Sequence, residues 1–300
     1  MATAWIDLED PDAETLRATL PSNIHQVALD RILRTPRHDD EPRPRLETHD
    51  DYVFGVLVFP LVTSDSVVYQ EVDVITTIET LFTIRKTPPG HTACEFEDAR
   101  DAALRDGASP GLCLYTVMNE IAERFLDVVD HFDDSIDELE DHVTVWPAAQ
   151  IRDEISSIRH SILHIRRTLA PTRDAARAVL DDRVEIEGHE LFPRDVEIHF
   201  ADAYDKLLRA TEGLETSRDL IAGVRDYVQA KIANDQNEVT KKLTVIASCL
   251  LLPTFIVGLY GQNFRRIPEL HWGFGYAWSW GLIVATTILQ LAYFRRKKWI

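Results

Sequence analysis

Residues 243–264, "LTVIASCLLLPTFIVGLYGQNF", contain no Asp, Glu, Lys or Arg, and neither do residues 270–294, "LHWGFGYAWSWGLIVATTILQLAYF". The chain as a whole carries 50 acidic and 32 basic side chains in 300 residues, so two charge-free runs side by side stand apart from the rest. Each is longer than the roughly 20 apolar residues that cross a bilayer. They predict two transmembrane helices, at about 243–262 and 275–294. A pair of buried core helices is the alternative reading.

Charge divides the chain at the same place. Residues 1–242 hold 49 acidic and 26 basic side chains, a net of −23; residues 243–300 hold one acid, Glu269, and six bases, a net of +5. An acidic surface repels phosphate backbones, which argues against nucleic acid, and it is compatible with attracting cations. It is equally what an ordinary solvated surface looks like. Three widely spaced cysteines (Cys94, Cys113, Cys249) without a CxxC pair argue against a zinc ribbon or a disulfide framework and fit a reducing cytoplasm. The acidic start "MATAWIDLEDPDAETL" has no apolar core, so no signal peptide is expected.

Working toward the N-terminus, three long helices are expected ahead of the spans. One begins at Ser109–Pro110, a cap and first-turn pair, with apolar positions from Leu114 to Leu139 at spacings of three and four. The next opens at Pro147 and runs through Ile151, Ile155, Ile158, Ile162, Ile165 and Leu169. The third starts near Pro193 and meets no stop signal before the first span. It would be roughly 100 Å long at 1.5 Å per residue, with Gly213 and Gly223 weakening it locally and Pro253 kinking it. The first hundred residues are mixed. "DAETLRATL" is helical, "DRILRTPRHDDEPRPRLETHDD" is a loop, and 52–60, 66–76 and 80–86 are strands. The expected fold is an α+β membrane protein. Residues 1–108 form a cytoplasmic α/β domain, 109–242 a cytoplasmic long-helix stalk with an acidic hairpin, and 243–300 two transmembrane helices with a short outer loop and a basic tail.

Flanking bases set the topology. Lys241 and Lys242 precede the first span and Arg295–Lys298 follow the second, which puts both termini on the cytoplasmic side of the cell membrane. Trp272, Tyr276, Trp278 and Trp280 at one end of the second span, and Tyr293 and Trp299 at the other, suit the two lipid interfaces.

Two spans cannot enclose an aqueous path alone, so transport requires several copies around one axis. The first span has the polar members for a lining: Asn237, Thr240, Thr244, Ser248, Thr254 and Asn263. Back-bonding of Ser and Thr hydroxyls to their own helix is the plainer reading. Amide and hydroxyl oxygens suit Mg²⁺, which keeps its water and can be held through it. An Asn263 ring could take a hydrated ion, and a Leu251 ring could gate by dewetting. There is no GxxxxGK[ST] loop for ATP, no HxxxH-like pair in the spans, and no enzymatic activity is expected.

The run "NEVTKKLTVIASCLLLPTFIVGLYGQNF…IPEL" with the tail "FRRKKWI" resembles the CorA family of divalent metal transporters. Gly261–Gln262–Asn263 is a variant of that family's Gly-Met-Asn motif, with Gln for Met; Thr240 and Leu251 also stand where Met is frequent. The resemblance is closest over 230–300, consistent over 109–230 and loose over 1–108. It implies a homopentamer with a funnel-shaped cytoplasmic part, carrying Mg²⁺, with Co²⁺ or Ni²⁺ possible cargo, driven by membrane potential and gated by intracellular metal. By position it implies Gly261, Gln262 and Asn263 at the pore mouth, and Thr254, Leu251, Leu243, Thr240, Asn237 and Asp226 successively below. Asp202 falls where the family has a metal-sensing carboxylate. Glu269 lies in the outer loop, where it could pair with Arg265 and Arg266, and acidic 127–141 could face the basic tail. The nearest relative reading is proton-coupled Zn²⁺ transport as in the ZntB branch. A membrane-anchored scaffold without transport is the reading from another class.

Overall fold

The computed structural model of the chain describes residues 4–34, 43–63, 67–105, 107–263 and 267–299. Val, Ile, Phe and Tyr crowd residues 53–85 because they line both faces of one sheet. Its strands are β1 (Ala4–Glu9), β2 (Arg45–Thr48), β3 (Val53–Val62), β4 (Val67–Thr76) and β5 (Thr80–Arg85), in the spatial order β1-β5-β4-β3-β2. β1 pairs with β5 in parallel; every other pairing is antiparallel. The three expected strands are β3, β4 and β5. The stretch 30–51, expected as a loop, instead holds the end of one helix and β2.

One face of the sheet is covered by α1 (Ala13–Thr19) and α2 (Gln26–Ile32). Leu16, Leu20, Ile24, Ala28 and Ile32 pack there on Phe54, Val56, Ile75, Phe82 and Ile84. The other face meets α4 (Pro110–His142), with α3 (Glu97–Arg105) alongside. Each face also buries charge. Toward α1 and α2, the Lys86 ammonium lies 2.8 Å from Asp73 Oδ2 and pairs with Glu71. Toward α4, Arg85 is held by Asp7 at 2.8 Å and Glu9 at 3.2 Å. Thr83 donates to Asp7 and accepts from the Trp5 indole N–H.

α4 begins as expected, with the Ser109 hydroxyl accepting from the Leu112 N–H at 3.3 Å. Its predicted apolar positions, from Leu114 to Leu139, are all buried, as are those of α5 (Ala148–Leu180). α5 continues past Leu169 because Pro171 removes only one donor and Thr172 bonds back to the Thr168 carbonyl at 2.8 Å. α6 is a single helix over Arg194–Tyr260. Its buried seam is Phe200, Ala203, Leu207, Ala210, Leu214, Ser217, Ile221, Val224 and Val228, alternating three and four. Leu220 and Tyr227 lie off that seam and are exposed. Gly213 has a packing reason: a Cβ there would come within 2.6 Å of Val129 on α4.

A short 3-10 turn (Pro268–His271) leads to α7 (Gly275–Arg296). α6 and α7 are both long and apolar enough to cross a membrane, and their apolar windows are almost entirely unburied. Compact packing divides the chain into Met1–Arg225 and Asp226–Ile300. That division falls earlier than the change in charge at 242/243, because it follows packing and not polarity.

Candidate functional site

The second unit contains an exposed face on α6 that mixes polar and leucine positions. At about 100° per residue, Asp226, Asn237, Thr240, Leu243, Leu251 and Thr254 fall within about 120° of arc. All six are exposed, Leu251 by 72%. The Thr240, Thr244 and Thr254 hydroxyls donate to the carbonyls of Gln236, Thr240 and Leu250 at 2.8, 2.8 and 2.7 Å. Back-bonding is therefore present, and it leaves the hydroxyl lone pairs as acceptors. A hydrated cation presents water protons outward, so a row of acceptors is the matching chemistry.

The helix closes tightly at its end. The Gly261 N–H donates to the Val257 carbonyl at 2.9 Å and the Gln262 N–H to the Leu259 carbonyl at 3.4 Å. A Cβ on Gly261 would sit 3.2 Å from the Val257 oxygen, so a larger residue would crowd this turn. Gln262 and Asn263 follow it, both exposed, with neutral amide groups. Glu269 lies in the 3-10 turn, where its carbonyl accepts from the Trp272 N–H at 3.2 Å. Arg265 and Arg266, the expected partners of Glu269, lie outside the described residues.

α7 is tied to α6 beside the proline. Pro253 has no N–H for the Cys249 carbonyl. On one side of that carbonyl, Gln290 Nε2 donates to the Ser248 oxygen at 3.2 Å; on the other, Thr254 caps Leu250. Gln290 Oε1 is buried without a hydrogen-bond partner among the described residues. Sequence reading passed over Gln290, although a lone amide in a charge-free span is itself a signal.

Asp202 belongs to the first unit and sits in a different setting. Lys206, one turn on, places its ammonium 3.0 Å from Asp202, 2.6 Å from Glu123 and 2.7 Å from Asn119 Oδ1. Burial alone would lower the Lys206 pKa; its bonds to Glu123 and Asp202 outweigh that and hold it above the usual lysine range. Burial and the charges of Asp202 and Glu123 raise the nearby Tyr115 phenol, against the lowering effect of Lys206. Three hard oxygen ligands thus converge on a point where the chain has put its own cation. The i, i+4 spacing of Asp202 and Lys206 was readable in advance; the α4 partners were not. The acidic side chains of 127–141 are all exposed, and Asp133 accepts from Ser217 at 2.7 Å.

With this geometry in view, the family model described as "CorA-like Mg2+ transporter protein" matches residues 2–296. The cobalt/magnesium transport protein CorA of Thermotoga maritima is 26% identical over 287 residues, covering 92% of this chain and 77% of that one. The solved CorA magnesium transporter of Methanocaldococcus jannaschii superposes with a TM-score of 0.80 at 22% identity, covering 99% of this chain and 91% of that one. The cytoplasmic domain of ZntB from Vibrio parahaemolyticus gives 0.60 at 15% identity, covering 78% and 90%. At those identities the two structures establish the fold alone.

Proposed function

The chain belongs to the CorA-like Mg²⁺ transporter family, a family of transporters and not of enzymes, and on that premise we propose that it forms a homopentameric Mg²⁺ channel in the cell membrane, with both termini in the cytoplasm. Residues 1–108 serve as a cytoplasmic α/β domain, 109–242 as the stalk that carries the metal-sensing residues and the lower pore positions, and 243–300 as the two membrane spans. Co²⁺ and Ni²⁺ are secondary cargo. The observation that carries this reading is the exposed face of α6, which holds Asp226, Asn237, Thr240 and Thr254 among leucines and ends in two neutral amides.

Asn263 and Gln262 meet the hydrated ion, Gly261 allows the turn that presents them, and Thr254, Thr240, Asn237 and Asp226 supply acceptors below. Leu251 and Leu243 form apolar constrictions. Neutral amides suit an ion that keeps its water, because they bond to the hydration shell without carrying a charge into the bilayer. The driving force is the membrane potential, about 2.3 kcal/mol per charge per 100 mV and twice that for a divalent ion.

Gating follows the cytoplasmic metal concentration. Asp202 and Glu123 supply carboxylate oxygens and Asn119 an amide oxygen, a donor set that fits a hard cation. Bound metal must displace the Lys206 ammonium, so the chain's own charge sets the concentration at which the site fills.

Uptake into reconstituted vesicles tests the reading, with Mg²⁺ and Zn²⁺ in turn, with and without a pH gradient. Mg²⁺ uptake should grow with an inside-negative potential and ignore the pH gradient. Zn²⁺ uptake that requires the gradient would replace this reading with the ZntB-like one. No uptake of either ion would leave a scaffold. Asn263→Ala should abolish uptake while the oligomer persists on size exclusion; retained uptake would remove Asn263 from the pathway.

A further inference from the structure

α5 carries two histidines, His160 and His164, one turn apart. Residues at i and i+4 share a helix face. The turn is held in place from behind, because Ile155, Ile158, Ile162 and Ile165 are buried on the opposite side. The two imidazoles therefore converge, with His164 Nε2 2.8 Å from His160 Nε2 and ring centroids 4.3 Å apart. His160 is exposed and His164 half-buried, so the pair is open to solvent.

A contact of 2.8 Å between two ring nitrogens requires one to carry a proton and the other to be bare. Moving that single proton to the Nδ1 of its own ring leaves both Nε2 atoms bare and facing each other. No net proton is lost in that step, since a neutral imidazole always carries one. Imidazole nitrogen is a ligand for Ni²⁺, Cu²⁺, Co²⁺ and Zn²⁺, and a poor one for Mg²⁺, which takes oxygen. Among divalent first-row ions, nitrogen donors bind Cu²⁺ most tightly. The pair stands as a two-histidine site, with no group of three or more His, Cys, Asp or Glu among the described residues. Arg159, Arg166 and Arg167 flank the pair in sequence and weaken, without blocking, the approach of a cation.

We infer that His160 and His164 form a surface site for divalent transition metals, with Cu²⁺ bound most tightly and Mg²⁺ excluded. The inference goes beyond the proposed transport function and does not depend on it.

The test uses the untagged full chain in detergent. Ni²⁺ binding is followed by competition with a chromogenic chelator, and Cu²⁺ coordination by electron paramagnetic resonance. The wild type should bind Ni²⁺ at one such site per chain, undisturbed by a large excess of Mg²⁺, and give a two-nitrogen Cu²⁺ spectrum. His160→Gln and His164→Gln, on the exposed side of an intact helix, should each weaken Ni²⁺ by at least the ~10-fold that losing even a supporting partner costs a metal site. Circular dichroism confirms that each variant is folded. Ni²⁺ affinity and Cu²⁺ spectrum unchanged in the His160→Gln/His164→Gln double variant would overturn the assignment, as would displacement by Mg²⁺.

Discussion

The two units treat charge and apolar surface in opposite ways. Met1–Arg225 buries Phe59, Phe125 and Phe200 and encloses ion pairs on both faces of one sheet. Asp226–Ile300 leaves Leu251, Phe255 and Leu289 more than three-fifths exposed and has no charged side chain in its first apolar run. Residue type alone does not decide what is buried; the surrounding medium does. A water-facing unit must hide its apolar side chains and can enclose a charge only beside a partner. A unit suited to lipid keeps apolar surface outside and satisfies its polar atoms within and between its helices.

The largest expected effect tests that contrast directly. Phe125→Ala, at a fully buried position on α4, should cost about 3–5 kcal/mol in urea unfolding. Phe255→Ala, 64% exposed on α6, should cost less than about 1 kcal/mol in the same measurement. An equal loss at Phe255 would break the comparison and show that its face is a packed subunit seam.

A second test concerns the buried charges. Asp73 lies between Val56 and Ile84 on the neighbouring strands. Burial pushes its pKa up from 3.8 to about 7, against the pull of Lys86 and with the help of Glu71. Two carboxylates share one ammonium, so the cluster is neutral only when one carboxylate is protonated. A raised carboxylate binds its proton more tightly in the folded state. The stability it confers is therefore greatest below about pH 4 and is lost as pH rises to about 7. Asp73→Asn should flatten that slope in thermal unfolding and be the more stable protein at pH 8, since Lys86 keeps Glu71. A slope unchanged by the substitution would show that Asp73 is already ionised across that range.

The amide in the second unit gives a smaller effect. Gln290→Leu removes the bond to the Ser248 carbonyl, and an inter-helix hydrogen bond in a bilayer is worth about 0.6 kcal/mol. It also removes the buried, unpartnered Oε1. These oppose each other, so the net change in detergent stability should stay under about 1 kcal/mol. A loss above about 2 kcal/mol would mean that Oε1 meets a donor on another copy.

The contrast was uneven in the sequence as well. The spans were legible because a run without charge is a local signal, and α4 and α5 because their apolar period is local too. β1 was missed because Asp7 and Glu9 make "AWIDLE" look like a solvated end; their partner, Arg85, lies far along the chain. β2 was hidden in a proline-rich polar stretch for the same reason, since its pairing with β3 is a tertiary fact. The row of positions along α6 came with the family resemblance, and the helical period places them on one side. The link of α6 to α7 through Gln290 was not readable, because nothing local says which carbonyl an amide will meet. His160 and His164 were readable by their spacing, outside the spans where a histidine pair was sought.

Lys206 offers the finest test, because it separates a structural ion pair from a regulatory one. As a structural pair it is modest: Asp202 and Glu123 are each about half exposed, and ion pairs of that kind are worth about 0.2–1 kcal/mol. Lys206→Met keeps the length of the side chain and its packing while deleting the charge. If the ammonium only fastens α6 to α4, the variant loses a little stability and transport keeps its dependence on internal metal. If it competes with metal for the same oxygens, the freed carboxylates should fill at lower concentration. Inhibition by internal Mg²⁺ should then shift downward by up to about fivefold, the ratio that 1 kcal/mol represents. Vesicle uptake against a series of internal Mg²⁺ concentrations reads that shift, and Lys206→Arg, which restores the charge, should return it toward wild type. A shift in Lys206→Met that Lys206→Arg does not reverse would assign the effect to packing and leave Asp202 without a sensing role.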